Sequence, residues 1–178
     1  SKIKDPRRKQ GLRIDLEQIL SMVVISYLCG HTGYRGVARF CKAHKETLTE
    51  ELGLRHSIPS HVTFRDVLGR IPDSQMVKAF NEWSKSNIVI GENFWISGDG
   101  KALGSTVSDC HGSGQDFQAI VSFFCQQSGL VYSLEQYRNK SKDSGEMDTA
   151  RYLINELKAK GAIIRLDALH TQKKRLRP

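Results

Sequence analysis

Two aspartates, Asp99 and Asp167, are the residues of this 178-residue chain whose type and position best suit chemistry on a phosphate group. Each follows a short apolar segment that is predicted to form a β-strand, so each is expected at the C-terminal end of a strand. If the strands are parallel neighbours, they lie about 4.8 Å apart. Two carboxylates at that spacing suit hard divalent ions, which stabilise the attacking and leaving oxygens of a phosphoryl displacement. The alternative is a pair of ordinary acids in turns.

The neighbours of these aspartates fit the same chemistry. Gly98 and Gly100 flank the first aspartate and would let a backbone or a phosphate approach closely. Lys101 follows and could meet a phosphate as a point charge. His170, three residues after the second aspartate, could orient a phosphate or a metal-bound water, or it could make a local hydrogen bond at the start of a helix.

A zinc site is the weaker interpretation of a second group of residues: Cys29, His31, Cys41 and His44. Their spacing is not that of a usual structural zinc site. Thiols buried in helices and histidines on the surface explain the pattern better.

The predicted elements divide the chain into a helical part and a sheet part. Apolar residues at helical spacing predict five helices before residue 90. The pattern then predicts a strand over 94–99, a loop over 100–116, strands over 117–125 and 130–137, a helix over 149–160 and a strand over 162–166. The predicted fold class is therefore α+β or α/β. A helical N-terminal domain spans 1–90, and 91–178 form a mixed β-β-β-α-β sheet, the beginning of a ribonuclease-H-like fold.

The basic charge is concentrated at the two ends of the chain. The net charge is +8, of which residues 1–13 carry +5 and residues 171–178 carry +4, so that the rest is nearly neutral. Such ends could contact nucleic-acid phosphates or could be solvated. No apolar run is long enough to span a bilayer, and no secretory signal is recognisable. We therefore expect a cytoplasmic protein with four reduced cysteines and no membrane contact.

Several short sequence motifs resemble those of the H-repeat-associated family of bacterial insertion-sequence transposases, within the DDE superfamily. The most specific motif is Asp-Ala-Leu-His-Thr-Gln at 167–172. A second motif is Gly-Asp-Gly-Lys-Ala-Leu at 98–103. Shorter matches lie at 5–8, 28–30, 58–64, 79–83, 121–124 and 139–140. The resemblance therefore covers almost the whole chain.

The resemblance implies a helical domain followed by a ribonuclease-H-like catalytic domain. It implies DNA hydrolysis at element ends and strand transfer, with two Mg²⁺ or Mn²⁺ ions in a complete site. Asp99 is similar to the first catalytic acid and Asp167 to the second. Glu146 lies where family members have an acid, although an ordinary first-turn acid is the alternative. The third catalytic glutamate of the family follows the motif that matches residues 167–172, and it lies outside this sequence. The expectation is thus a truncated chain with weak or no activity alone.

The expected partner is DNA, both the element ends and the target. Candidate DNA contacts are Lys101 and seven residues elsewhere: Arg7, Arg8, Lys9, Arg39, Arg65, Lys173 and Lys174. Residues 35–71 could form a DNA-binding motif similar to a helix-turn-helix, although ordinary packing of helices would explain the same sequence pattern. A second copy or a full-length transposase is the expected protein partner. The alternatives to a transposase are a non-catalytic DNA-binding remnant that regulates transposition, and a structure-specific nuclease.

Overall fold

The structure, a computed structural model, describes residues 3–8, 12–108, 116–138, 145–157 and 161–166. The helices are α1 (Leu16–Leu28), α2 (Gly33–Ala43), α3 (Lys45–Leu52), α4 (His61–Leu68), α5 (Asp73–Asn87) and α6 (Glu146–Leu157). The strands are β1 (Trp95–Ala102), β2 (Gln118–Cys125), β3 (Leu130–Arg138) and β4 (Ile163–Leu166). This arrangement confirms the predicted α+β class. Within the described ranges, no helix has the length and apolar character needed to cross a bilayer.

The first compact unit, residues 1–76, is a helical unit built on α1 to α4. Five residues of its core are completely buried: Ile19, Met22, Val37, Cys41 and Phe64. Local signals set the helix ends. The side chain of Ser60 accepts a hydrogen bond from the Thr63 backbone N–H at the start of α4. Gly53 ends α3 with a φ of 63°, a conformation that costs glycine little.

The second compact unit, residues 77–178, contains α5 from residue 77 onward, the sheet and α6. The strand order is β3-β2-β1-β4, in which β1–β2 and β2–β3 are antiparallel and β1–β4 is parallel. This is the topology expected for the beginning of a ribonuclease-H-like sheet. Ile96, Val121 and Phe123 belong to the same buried cluster as Ala150 and Leu153 of α6. The even-numbered residues of β1 therefore face α6.

The helix α5 lies along the outer edge of β3. The amide of Asn81 donates to the backbone carbonyl of Leu134 at 2.8 Å and accepts from its N–H at 2.9 Å. Ser84 donates to the carbonyl of Val131 at 2.7 Å. These side chains satisfy backbone groups that an edge strand otherwise leaves open. Because of these contacts α5 belongs largely to the sheet unit, and the compact units divide between Met76 and Val77. The domain boundary at residue 90 stays a prediction.

The first strand extends further than its sequence predicts. It was expected to end at Asp99, with a loop from residue 100, but β1 continues to Ala102. The antiparallel ladder with β2 runs without a break from Ile96 opposite Cys125 to Ala102 opposite Ala119. These inter-strand hydrogen bonds hold Gly100 in the strand despite its low strand preference. The expectation that Asp99 ends its strand is therefore wrong, and the loop begins after Ala102.

Candidate active site

Asp99 projects from the middle of β1 on the sheet face opposite α6. Residues of a strand alternate between faces, so Ser97 and Lys101 lie on the same face as Asp99. The carboxylate is exposed. No described residue forms a hydrogen bond or an ion pair with it. An open carboxylate of this kind is free to bind a cation.

The parallel strand β4 lies beside β1 up to the residue before Asp167. Gly98 pairs with Leu166, the last described residue of β4. A Cβ atom on Gly98 would lie 2.6 Å from Leu166 Cδ2 and 2.7 Å from Phe123 Cε1, so only glycine fits beneath these side chains. Asp167 follows Leu166 in the sequence but lies outside the described residues. Its pairing with Asp99 remains a prediction.

Arg165 is a neighbour of Asp99 that the sequence analysis missed. It pairs with Ser97 across the parallel ladder, so its exposed side chain lies on the Asp99 face. Lys101 lies on the same face, so two cationic side chains share this face with the Asp99 carboxylate. The alternation of apolar and charged residues in β4 could have indicated an outward-facing arginine. Its position beside Ser97, on the same face as Asp99, depends on the strand register, which the sequence alone does not give.

Glu146, the first residue of α6, reaches β1 from the other face of the sheet. A Cβ atom on Gly100 would lie 2.8 Å from Glu146 Cδ, so the carboxylate occupies the space that a side chain at position 100 would need. The pKa of Tyr137 is raised by burial first, and then by the charge of Glu146 and a hydrogen bond to it. Because consecutive strand residues point to opposite faces, Glu146 and Asp99 approach β1 from opposite sides.

The remaining predicted site residues divide into two groups. Outside the described residues lie Lys9, Asp167, His170, Lys173 and Lys174. Arg8 and Lys101 are exposed, as is Arg39 on α2. Arg65 pairs with Asp66 at 3.0 Å on the surface of α4.

The cysteine and histidine group does not form a cluster in the described structure. Cys41 is buried, and burial raises the pKa of its thiol, whereas Cys29 is exposed, contrary to the expectation of a buried thiol. The rings of His31 and His44 contact the ring of Phe40, with centroid distances of 5.0 and 4.6 Å. Within the described ranges, no three or more His, Cys, Asp or Glu residues lie close enough to hold a metal ion.

Arg7, expected as a DNA contact, is a nearly buried ion-pair partner in the helical unit. Its side chain is 9% exposed, and its Nη2 lies 2.6 Å from Asp5 Oδ2. The Arg7 Nε and backbone N–H also donate to Asp5 Oδ1, each at 2.9 Å. Nearby, the Lys4 backbone N–H donates to Gln75 at 3.0 Å. The contacts between Arg7 and Asp5 indicate a structural role for Arg7 in fixing the conformation of the segment 3–8, which Lys4 joins to Gln75.

We expect Arg7→Ala to lower the free energy of unfolding of the helical unit by about 1–3 kcal/mol at pH 7, because it removes charge-assisted hydrogen bonds from Asp5. The Arg7 hydrogen bond is the main cause that holds the pKa of Asp5 below its usual 3.8. A lowered folded-state pKa stabilises the fold above about pH 3.8, and this stabilisation is lost as the pH falls through the folded-state value. Urea unfolding at pH 7 and near pH 2 measures both effects.

Arg8→Ala is the matched control, since it removes the same charge from the next, exposed position. It should change the free energy of unfolding by less than about 0.5 kcal/mol at either pH. Equal losses for the two variants, or a loss for Arg7→Ala that persists at pH 2, would contradict the ion-pair role.

Comparison with known proteins relates the chain to transposases. Residues 1–84 match the DDE_Tnp_1-associated family. The H repeat-associated putative transposase YhhI of Escherichia coli is 26% identical over 171 residues, which cover 96% of this chain and 44% of that protein. The H repeat-associated putative transposase YbfD of the same organism is 25% identical over 171 residues, which cover 96% of this chain and 66% of that protein.

A third relative comes from another organism. An uncharacterized protein in the dhlA 3′ region of Xanthobacter autotrophicus is 28% identical over 175 residues, which cover 96% of this chain and 57% of that protein. The chain thus spans between 44% and 66% of the length of these three curated relatives. The predicted resemblance is confirmed: the chain is similar along 96% of its length to two H repeat-associated putative transposases, and its first 84 residues match the DDE_Tnp_1-associated family.

Proposed function

We propose that the chain acts on DNA as a transposase, with Asp99 and Asp167 holding Mg²⁺ or Mn²⁺ for cleavage of a phosphodiester bond and strand transfer. The observation that carries the proposal is the parallel β1–β4 ladder. Its last described pair is Gly98 and Leu166, and the two aspartates are the next residues of those segments. Neighbouring strands lie about 4.8 Å apart, a spacing at which two carboxylates can share a divalent ion.

The exposed Asp99 carboxylate suits such an ion, since hard cations prefer oxygen ligands and no described residue engages it. A bound divalent ion would supply positive charge at the phosphate and lower the pKa of a bound water. Arg165 and Lys101 lie on the same face and can donate to non-bridging phosphate oxygens, Arg165 through two parallel hydrogen bonds and Lys101 as a point charge. Gly98 carries no side chain that would clash with the Leu166 side chain of β4 or the Phe123 ring of β2.

Glu146 has a different role in this proposal. Its carboxylate lies against Gly100 on the α6 side of the sheet and accepts a hydrogen bond from Tyr137. We therefore assign it as a positioning residue that fixes the start of α6 against β1, and not as a third metal ligand.

The proposal is tested with the chain itself by titration with Mn²⁺, followed by electron paramagnetic resonance, and by cleavage of labelled element-end DNA. Asp99→Asn and Asp167→Asn should each weaken Mn²⁺ binding by about tenfold or more and reduce cleavage in proportion. DNA binding in EDTA should not change. Glu156→Gln is the matched control, because it removes a partly exposed carboxylate, paired with Lys85, from the far end of α6.

Unchanged Mn²⁺ affinity in both aspartate variants would overturn the proposed site. Cleavage without joining would favour a structure-specific nuclease. DNA binding with no cleavage by the wild-type chain would favour a non-catalytic regulator of transposition.

A further inference from the structure

A basic groove lies between α2 and α4 in the helical unit. The groove has a volume of about 420 Å³ and is lined by Arg35, Ala38, Arg39, Lys42 and His61. The groove thus contains three permanent cations, one histidine and no acid. Arg35, Arg39 and Lys42 are exposed, and no side chain in the described part of the chain pairs with any of them. Three unpaired cations in one concave surface are an electrostatic site for a polyanion.

The fold holds these cations in a regular row. Positions 35, 39 and 42 recur at helical spacing on one face of α2. The opposite face of α2 is anchored by Val37 and Cys41, both fully buried, in the core that also contains Phe64 of α4. The row is therefore part of a packed element, and its geometry does not depend on a loop.

The row has a length that suits duplex DNA. Positions 35 and 42 are seven residues apart, a rise of about 10.5 Å along α2, so the three side chains can reach different phosphates of one DNA strand. An arginine can bind a phosphate through two parallel hydrogen bonds. His61, at the first position of α4, closes the other wall of the groove.

We propose that this groove, lined by Arg35, Arg39, Lys42 and His61, binds the phosphate backbone of duplex DNA. The inference rests on the proposed function for the identity of the polyanion, but it concerns a different compact unit from Asp99. It also separates the DNA surface from two arginines that the sequence analysis nominated. Arg65 is paired with Asp66, and Arg7 is paired with Asp5.

The test is fluorescence anisotropy with a labelled duplex of about 30 base pairs in EDTA, over a range of KCl concentrations. Replacing Arg35, Arg39 and Lys42 together with alanine should reduce the slope of log affinity against log salt by about 2.7, because three phosphate contacts each contribute about 0.9. At physiological salt the affinity should fall by tenfold or more. Arg39→Lys, which keeps the charge, should retain most of the binding.

Two comparisons keep the test decisive. Arg65→Ala removes one charge from the same unit outside the groove and should change the slope much less than Arg39→Ala. Circular dichroism should show unchanged melting for the triple variant, since its side chains are exposed. An unchanged salt slope in the triple variant, an equal effect of Arg65→Ala, or equally tight binding of poly-glutamate would overturn the groove as a DNA site. Because EDTA removes divalent ions, failure here does not affect the Asp99 site, and failure of that site does not affect this groove.

Discussion

Phe123→Ala is expected to lower the free energy of unfolding of the sheet unit by about 3–5 kcal/mol. The ring is completely buried and lies over Gly98, between β1 and the helix α6. Its removal leaves a cavity in the cluster that includes Leu153, and this cluster cannot close fully around it. The loss is a large part of the total stability of a typical domain. Urea unfolding should show a lower midpoint at unchanged m-value, and the melting temperature of this unit of about 100 residues should fall by about 12 °C or more.

Phe124→Ala is the matched control for this prediction. It removes the same side chain from the next residue of β2, which points to the opposite face and is 39% exposed. Its expected cost is about 1 kcal/mol or less. Comparable losses for Phe123→Ala and Phe124→Ala would mean that β2 does not present Phe123 to the core.

Phe64→Ala is expected to destabilise the helical unit by a similar amount, about 3–5 kcal/mol. Phe64 is fully buried on α4 and belongs to the core that joins α1, α2 and α4. Native-state hydrogen exchange is a suitable measurement, because it reports each unit separately. The amides of α1, α2 and α4 should lose protection, by a factor of more than a hundred at 3 kcal/mol.

Val62→Ala tests whether the effect comes from burial. Val62 lies in the first turn of the same helix and is 40% exposed, so its replacement should leave protection in α1 and α2 nearly unchanged. Loss of protection in Val62→Ala to the same degree would show that α4 is sensitive to any substitution, and would contradict the assigned role of Phe64.

Helical spacing and turn residues predict most of the fold, because they act locally. Ser60 begins α4 as its N-cap and Gly53 ends α3, and serine and glycine are the residue types typical of those two positions. The face that α1 buries is less predictable. The apolar residues Val24 and Leu28 fit the periodic pattern, yet they are 57% and 82% exposed, whereas the polar Ser26 is fully buried. Ser26 is satisfied inside the core by the carbonyl of Met22 at 2.7 Å, a contact that hydropathy does not reveal.

The candidate site shows the same division between local and long-range information. The sequence motifs around Asp99 and Asp167 indicate these two residues as candidate catalytic acids. The β-β-β-α-β order predicts that β1 and β4 are parallel neighbours. The extension of β1 to Ala102 depends on hydrogen bonds to β2, which lies sixteen or more residues further along the chain. The pairing of Arg7 with Asp5, the contact of Glu146 with Gly100 and the position of Arg165 beside Ser97 likewise require coordinates.

The amide of Asn81 has a consequence for how this sheet can associate. Because α5 occupies the backbone groups of Leu134 on the outer side of β3, a further strand cannot add there without displacing the helix. Among the described strands, β4 is the other terminal member of the sheet. Extension of the sheet, by the same polypeptide or by a second copy, is thereby directed to one side only. Since only the β4 edge of the described sheet is open, two copies that pair through it would form a closed dimer and could not add further copies along the sheet.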